Sequence, residues 1–116
     1  MDVYILKSCD TCRKALKWLA AENIEASIHD IRSDGISQKT IAAAVSSLGW
    51  ETVLNRRSTS WRALNDDQKQ DMDADKAIAL IAENPTLMKR PLFISGQDFV
   101  AGFDKTAQEK LKNLIS

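Results

Sequence analysis

Two cysteines with two residues between them stand where the sequence changes from a strand pattern to a helix pattern. Residues 3–6 form a short apolar run typical of a buried strand, and from Asp10 onward apolar residues recur at helical spacing. Cys9 therefore lies beside the unpaired N–H groups of the first helical turn, an environment that lowers the pKa of a thiol. Cys12 lies on the same helix face, within reach of a disulfide. This arrangement predicts redox chemistry.

The two thiols are expected to have different roles. We expect Cys9 to be the nucleophile and Cys12 to be the resolving thiol that attacks a mixed disulfide on Cys9. Lys7 and Arg13 are nearby cations that would favour the Cys9 thiolate, whereas the Asp10 carboxylate would oppose it. The alternative is a pair of small buried thiols that line a helix. We expect no metal site, because the chain has only two cysteines and one histidine.

Two further segments could supply groups that bind anions. Arg90 directly precedes Pro91 and an apolar strand pattern. The proline either starts the strand with a trans bond or forms a cis bond that sets Arg90 toward a site, and the sequence alone allows both. The segment 55–62 holds three arginines and three hydroxyl side chains. It is either a solvated loop or an anion site built from arginine forks and hydroxyl donors.

Length and composition limit the classes of protein that need to be considered. With 116 residues, the chain is expected to form one domain, 1–116, with its own hydrophobic core. Sixteen basic residues balance sixteen acidic ones, so net charge does not favour direct binding to nucleic acid or to an anionic membrane. The sequence has no stretch long and apolar enough for a membrane span, and its first residues lack a secretory pattern. We therefore expect a soluble, cytoplasmic protein, where C-x-x-C spacing favours redox work.

The predicted order of elements is β-α-β, then a broken helical stretch, then β-β-α. Alternation, capping residues and turn residues place the strands at 2–6 and 25–31, the first helix at 10–22 and a hairpin at 91–100. Ser37 is expected to cap a helix to about 48, Asp73 to cap one of the short helices that follow to about 86, and Asp104 to cap the final helix. The first strand, helix and strand indicate a parallel pair joined by a crossover helix.

Taken together and in this order, the motifs resemble the arsenate reductase (ArsC) family, which includes Spx-type regulators and small ArsC-like reductases. Four stretches carry the resemblance: CDTCRKA at 9–15, DIR at 30–32, LNRRSTSWR at 54–62 and RPL at 90–92. The resemblance implies an α/β, thioredoxin-like fold with a four-stranded mixed sheet and a helical insertion at about 33–86. It also implies a catalytic Cys9, a cis Pro91 and a position for Arg90 beside the thiol.

The resemblance also assigns roles to individual residues. Thr11 and Arg13 match the loop after the catalytic cysteine in the arsenate enzymes, and Arg57 matches an arginine of the small reductases. The expected catalytic residues are Cys9, Cys12, Arg13 and Arg90, and the expected substrate- or anion-binding residues are Thr11, Arg57, Arg90 and Pro91.

Two departures from the family pattern weaken arsenate itself as the substrate. Asn55 stands where the first of three arginines is expected in the enzymes that reduce arsenate with glutathione, and no arginine follows Arg90. Fewer guanidinium groups would stabilise an oxyanion less well.

Three functions follow from these observations. The first is a thiol-dependent oxidoreductase with glutathione as co-substrate, no tightly bound cofactor, and a thioredoxin- or glutaredoxin-like protein as the alternative reductant. The second is a redox-sensing regulator of the Spx type, which would bind RNA polymerase and be switched by a Cys9–Cys12 disulfide. The third is a glutathione-binding module without turnover. We expect the protein to be a monomer.

Overall fold

The computed structural model describes residues 1–115, except for the side chain of Ile115, which the sequence predicts to be on the apolar face of the final helix. The chain divides into two compact units, one of Met1–Gly35 together with the residues from Arg90 onward, and one of Ile36–Lys89. The second unit starts and ends close to the bounds predicted for the helical insertion. A single domain over 1–116 stays a prediction.

The first unit contains a four-stranded mixed sheet, as predicted. Its strands are β1 (Asp2–Ile5), β2 (Ser27–Asp30), β3 (Leu92–Ser95) and β4 (Asp98–Ala101). Their spatial order is β2-β1-β3-β4. β1 pairs in parallel with β2 and antiparallel with β3, and β3 and β4 form a hairpin. Because β1 lies between two other strands, the loop at its C-terminal end leaves the sheet near the middle, and this loop leads to Cys9.

The helices are, in chain order, α1 (Asp10–Ala21), α2 (Gln38–Leu48), α3 (Trp50–Val53), α4 (Thr59–Arg62), α5 (Asp66–Lys69), α6 (Ala74–Glu83) and α7 (Lys105–Ile115). In the first unit, α1 and α7 share one core with the sheet. This core contains Val3, Ile5, Cys12, Ala15, Leu19, Phe93, Val100, Ala107 and Leu111. The α1 members recur every three or four residues, which is the spacing that turns one helix face toward a sheet. None of the helices described over residues 1–115 combines the length and apolar character needed to cross a bilayer.

The ends of the longer helices follow from local side-chain chemistry. Ser37 Oγ accepts a hydrogen bond from the Thr40 N–H at 3.1 Å at the start of α2, and the Asp73 carboxylate accepts one from the Lys76 N–H at 2.8 Å at the start of α6. Each bond satisfies an N–H that the first turn leaves unpaired. The caps predicted at these positions are confirmed. In the second unit, α2 contacts both α3 and α6.

The cap of α7 allows a first quantitative prediction. The Asp104 carboxylate accepts a hydrogen bond from the Ala107 N–H at 2.8 Å. We expect Asp104→Ala to lower the free energy of unfolding by about 1 kcal/mol, because one orphan N–H loses its partner. Asp98→Ala is the matched control, since Asp98 is exposed and its loss should change stability by less than about 0.5 kcal/mol. Urea denaturation of both variants measures the difference, and equal stabilities would contradict the assignment of this cap.

Candidate active site

Cys9 lies at the junction of β1 and α1, as the sequence predicts. It is the N-cap residue of α1, with an extended backbone at φ −87° and ψ 118°. Its N–H donates to the Leu6 carbonyl at 2.9 Å, which closes a turn over residues 6–9, and its own carbonyl accepts the Arg13 N–H at 3.1 Å. The side chain is half-buried and contacts the core of the first unit. The sulfur is therefore both anchored and accessible.

The surroundings of Cys9 favour its ionised form. Burial raises the pKa of this thiol, but four interactions offset the effect and bring the pKa below its ordinary value. They are contacts with the backbone N–H and the thiol of Cys12 and the charge and hydrogen bond of the Arg90 guanidinium. The sulfur makes no side-chain capping hydrogen bond to the α1 backbone, so the Cys12 N–H acts on it mainly through its dipole.

Cys12 has the opposite properties. Its side chain is fully buried, with 0% exposure. Burial, together with the hydrogen bond and charge of Cys9, raises the pKa of Cys12 to about 12, although the Leu6 N–H and the Arg90 charge act in the other direction. At neutral pH Cys12 is therefore a protonated thiol beside a thiol that ionises more readily. The two cysteines are both free.

Arg90 is the third member of this cluster. The Arg90–Pro91 peptide bond is cis, as the resemblance implies. Pro91 is buried and its carbonyl accepts the Gly102 N–H at 2.9 Å. The guanidinium of the half-buried Arg90 acts on both sulfurs. The structure thus brings together Cys9, Cys12 and Arg90 within the first unit.

Arg13 pairs with Asp10 in the first turn of α1. Its Nη1 atom lies 3.1 Å from a carboxylate oxygen of Asp10, and its Nε–H donates to the Lys7 carbonyl at 3.1 Å. The strongest effects that lower the pKa of Cys9 come from Cys12 and Arg90 instead. A role for Arg13 in stabilising the thiolate stays a prediction.

Two further residues predicted for the site, Thr11 and Arg57, are exposed. Thr11 is exposed in the first turn of α1. Arg57 is exposed in the second unit, where its N–H donates to the Asn55 side chain at 3.1 Å. Roles for Thr11 and Arg57 in binding an anion stay predictions. Within residues 1–115, no three His, Cys, Asp or Glu side chains are grouped so that they could hold a metal ion.

Sequence reasoning missed one residue near the site, Asp30. The residue lies at the end of β2 and is 7% exposed, and its carboxylate accepts hydrogen bonds from three backbone N–H groups. A cleft of about 280 Å³ opens beside it and beside the turn that leads to Cys9, and is lined by Leu6, Lys7, Ser8, Asp30, Arg32 and Ser33. The DIR motif at 30–32 was the available signal, but no role could be read from it.

A family model for the ArsC family matches residues 4–111, which include both cysteines, Arg90 and Pro91. The chain belongs to the ArsC family. This ArsC-family chain is 44% identical over 105 residues to an uncharacterized protein of Haemophilus influenzae, a match that covers 90% of this chain and 92% of that relative. It is 36% identical to the solved YFFB (PA3664) protein, with a TM-score of 0.89 and coverage of 94% of this chain and 96% of that one.

Two other relatives of this ArsC-family chain carry functional names. An arsenate reductase (ArsC) related protein from Brucella melitensis is 31% identical, with a TM-score of 0.75 and coverage of 94% of this chain and 91% of that one. The global transcriptional regulator Spx of Streptococcus pyogenes serotype M1 is 28% identical over 107 residues, covering 90% of this chain and 79% of that relative. The matches confirm the predicted family and its four-stranded, thioredoxin-like fold, and they support membership of a thiol oxidoreductase family.

Proposed function

We propose that this protein is a thiol-dependent oxidoreductase that uses glutathione as co-substrate and Cys9 as its nucleophile. The observation that supports the proposal is the opposite behaviour of two thiols one helical turn apart. The pKa of Cys9 is lowered, whereas that of Cys12 is raised to about 12. Because the thiolate is the reactive form, Cys9 is the thiol suited to attack at neutral pH. The cytoplasmic location and the monomeric state are part of the same proposal.

The first chemical step is attack of the Cys9 thiolate on a sulfur of an oxidised substrate, for which glutathione disulfide is the simplest example. The S–S bond of glutathione disulfide breaks and a bond forms between Cys9 Sγ and one glutathione sulfur. The second glutathione leaves as a thiolate and takes a proton from solvent. Arg90 lies beside the reacting sulfur, where its guanidinium can hold an anionic group of the substrate. The cleft next to the Cys9 turn offers space for the rest of the molecule.

The second step is resolution by Cys12. Its thiol loses a proton to the departing thiolate or to water, attacks Cys9 Sγ and expels the bound glutathione, so that a Cys9–Cys12 disulfide forms. Burial is the largest cause of the high pKa of Cys12, and the neighbouring Cys9 adds to it. Since the adduct removes the negative charge from Cys9, Cys12 ionises more easily once its partner has reacted. When the substrate is an oxidised molecule other than glutathione disulfide, two glutathione thiols then reduce the internal disulfide and leave as glutathione disulfide. When glutathione disulfide is itself the substrate, a thioredoxin-like dithiol supplies the two electrons and leaves as a disulfide.

Mass spectrometry of the protein after treatment with glutathione disulfide tests this assignment. In Cys12→Ser, we expect a glutathione adduct that stays on Cys9, because the resolving thiol is missing. In the wild type, the same treatment should end in an internal disulfide, with two fewer hydrogens and no retained glutathione. Cys9→Ser is the control and should acquire no adduct. An unmodified Cys9 in both the wild type and Cys12→Ser would contradict the proposed function.

A second candidate function is redox-dependent binding to RNA polymerase. The observation in its favour is the similarity to Spx regulators across 90% of this chain. A Cys9–Cys12 disulfide would switch the binding. Pull-down of purified RNA polymerase by the oxidised and the reduced protein separates the two functions. Capture in only one redox state would favour the regulator, and turnover of glutathione disulfide without capture would favour the enzyme.

A further inference from the structure

Asp30 is a buried residue at the end of β2, where a charge without hydrogen-bond partners would be costly. One carboxylate oxygen accepts the N–H groups of Arg32 and Ser33 at 2.8 and 3.2 Å, and the other accepts the N–H of Lys7 at 3.2 Å. The first two bonds are local. The third joins Asp30 to Lys7, 23 positions away in the sequence, and Lys7 lies in the turn just before Cys9.

The backbone of Lys7 is held by hydrogen bonds at both its N–H and its carbonyl. Its N–H donates to Asp30, and its carbonyl accepts the Nε–H of Arg13 at 3.1 Å. The residue lies inside the turn over 6–9, which the bond from the Cys9 N–H to the Leu6 carbonyl closes at 2.9 Å. Asp30 lies at the end of β2, and Arg13 lies near the start of α1. The segment before Cys9 is therefore fixed to two regular elements rather than left as a free loop.

We propose that Asp30, together with Arg13, is a positioning residue that clamps the Lys7 backbone and so keeps the Cys9 sulfur against the Cys12 N–H and Arg90. The inference rests on the proposed function, in which Cys9 is the nucleophile. Asp30 does not touch the substrate in this proposal. Its three N–H partners, of which Arg32 has the largest effect, hold the pKa of Asp30 below its ordinary value. Asp30 therefore stays ionised throughout the pH range in which Cys9 titrates.

Asp30→Asn separates the clamp from a charge effect, because the two act in opposite directions. The single carbonyl oxygen of asparagine can still accept the Arg32 and Ser33 N–H groups, but its NH₂ group then faces the Lys7 N–H and that bond is lost. Removing a negative charge would by itself lower the pKa of Cys9. Loss of the clamp raises it, because the sulfur is no longer held against the groups that favour the thiolate.

The measurement is the rate of Cys9 alkylation by iodoacetamide as a function of pH in the reduced protein. For Asp30→Asn we expect a higher pKa of Cys9 and a rate at pH 7 lower on the order of fivefold, the factor that one net hydrogen bond contributes to an equilibrium. Asp34→Asn is the matched control. Asp34 accepts the Asp30 N–H at 3.1 Å, and its asparagine variant removes a carboxylate from the same turn while leaving the Lys7 bond in place. This variant should react within about twofold of the wild type.

A second variant tests the clamp from its other side and does not depend on a buried residue. Asp10→Ala/Arg13→Ala removes an exposed ion pair, keeps the net charge, and frees the Lys7 carbonyl. It should also raise the pKa of Cys9. An unchanged or lowered pKa of Cys9 in folded Asp30→Asn would overturn the inference about the clamp but not the proposed function. An unchanged or lowered pKa of Cys9 in the double variant would do the same. An ordinary pKa of Cys9 in the wild type would contradict the proposed function as well.

Discussion

In the reduced protein at pH 7, Cys9 is expected to react with iodoacetamide at least about fifty times faster than Cys12. A thiol with a pKa below the ordinary 9.0 is more than about 1 in 100 ionised at this pH, whereas one with a pKa of about 12 is ionised only about 1 in 100,000. The ratio of thiolates is thus roughly a thousand. The more basic thiolate is intrinsically more nucleophilic, which reduces the ratio of rates by roughly twentyfold. The complete burial of Cys12 then increases the ratio of rates again, because iodoacetamide cannot easily reach the buried sulfur.

Peptide mapping after timed alkylation gives both rates, and their pH dependence gives the sign of each shift. The Cys9 rate should rise with pH with a midpoint below pH 9.0, while the Cys12 rate should continue to rise toward about pH 12. Denaturant provides the control, since unfolding removes both environments and should make the two rates nearly equal. Equal and slow labelling of the two thiols in the folded protein would remove the basis for a Cys9 nucleophile.

Replacing Arg90 with methionine is expected to raise the pKa of Cys9 and to slow its alkylation at pH 7 by roughly tenfold. Methionine keeps much of the length and apolar contact of the arginine stem but removes the charge and the hydrogen bond that favour the thiolate. Hydrogen bonds to charged groups contribute about 1.5 to 3 kcal/mol. We take the lower end of this energy range for Arg90 and Cys9, because water and salt partly screen the charges of two half-buried residues.

Arg90→Lys is the control that separates charge from shape. Lysine keeps the positive charge but not the planar fork that binds a carboxylate through two parallel bonds. Alkylation of Cys9 in this variant should stay within about threefold of the wild type, whereas turnover of glutathione disulfide should fall further if the fork holds the substrate. An unchanged pH profile of alkylation in Arg90→Met would show that Arg90 does not stabilise the thiolate.

Local chemistry made part of the structure predictable. The change from strand to helix pattern placed Cys9 at the start of α1, and Ser37, Asp73 and Asp104 marked the starts of three helices, because a helix cap depends on residues three positions apart. The pairing of Arg13 with Asp10 was also within reach, since oppositely charged residues three apart on a helix are neighbours. The prediction that Arg13 favours the Cys9 thiolate did not include this partner, and it stays a prediction.

Contacts between distant segments could not be derived from the residues alone. Nothing in the sequence states that the Asp30 carboxylate reaches the Lys7 N–H, because that bond depends on the parallel register of β1 and β2. The position of Arg90 beside both sulfurs likewise depends on β3 pairing with β1, and only the family resemblance suggested it. The fully buried state of Cys12 follows from the packing of α1 against the sheet and α7.

The complete burial of Cys12 limits how the internal disulfide can be opened. A reducing thiol that arrives from solvent can reach the bridged cysteines only at Cys9, the half-exposed end. Cys12 must then leave as a buried thiolate, and a sulfur that is costly to ionise is a slow leaving group. Regeneration of the dithiol, rather than the first attack on the substrate, would therefore set the pace of each cycle, and the bridged form would accumulate while the protein works.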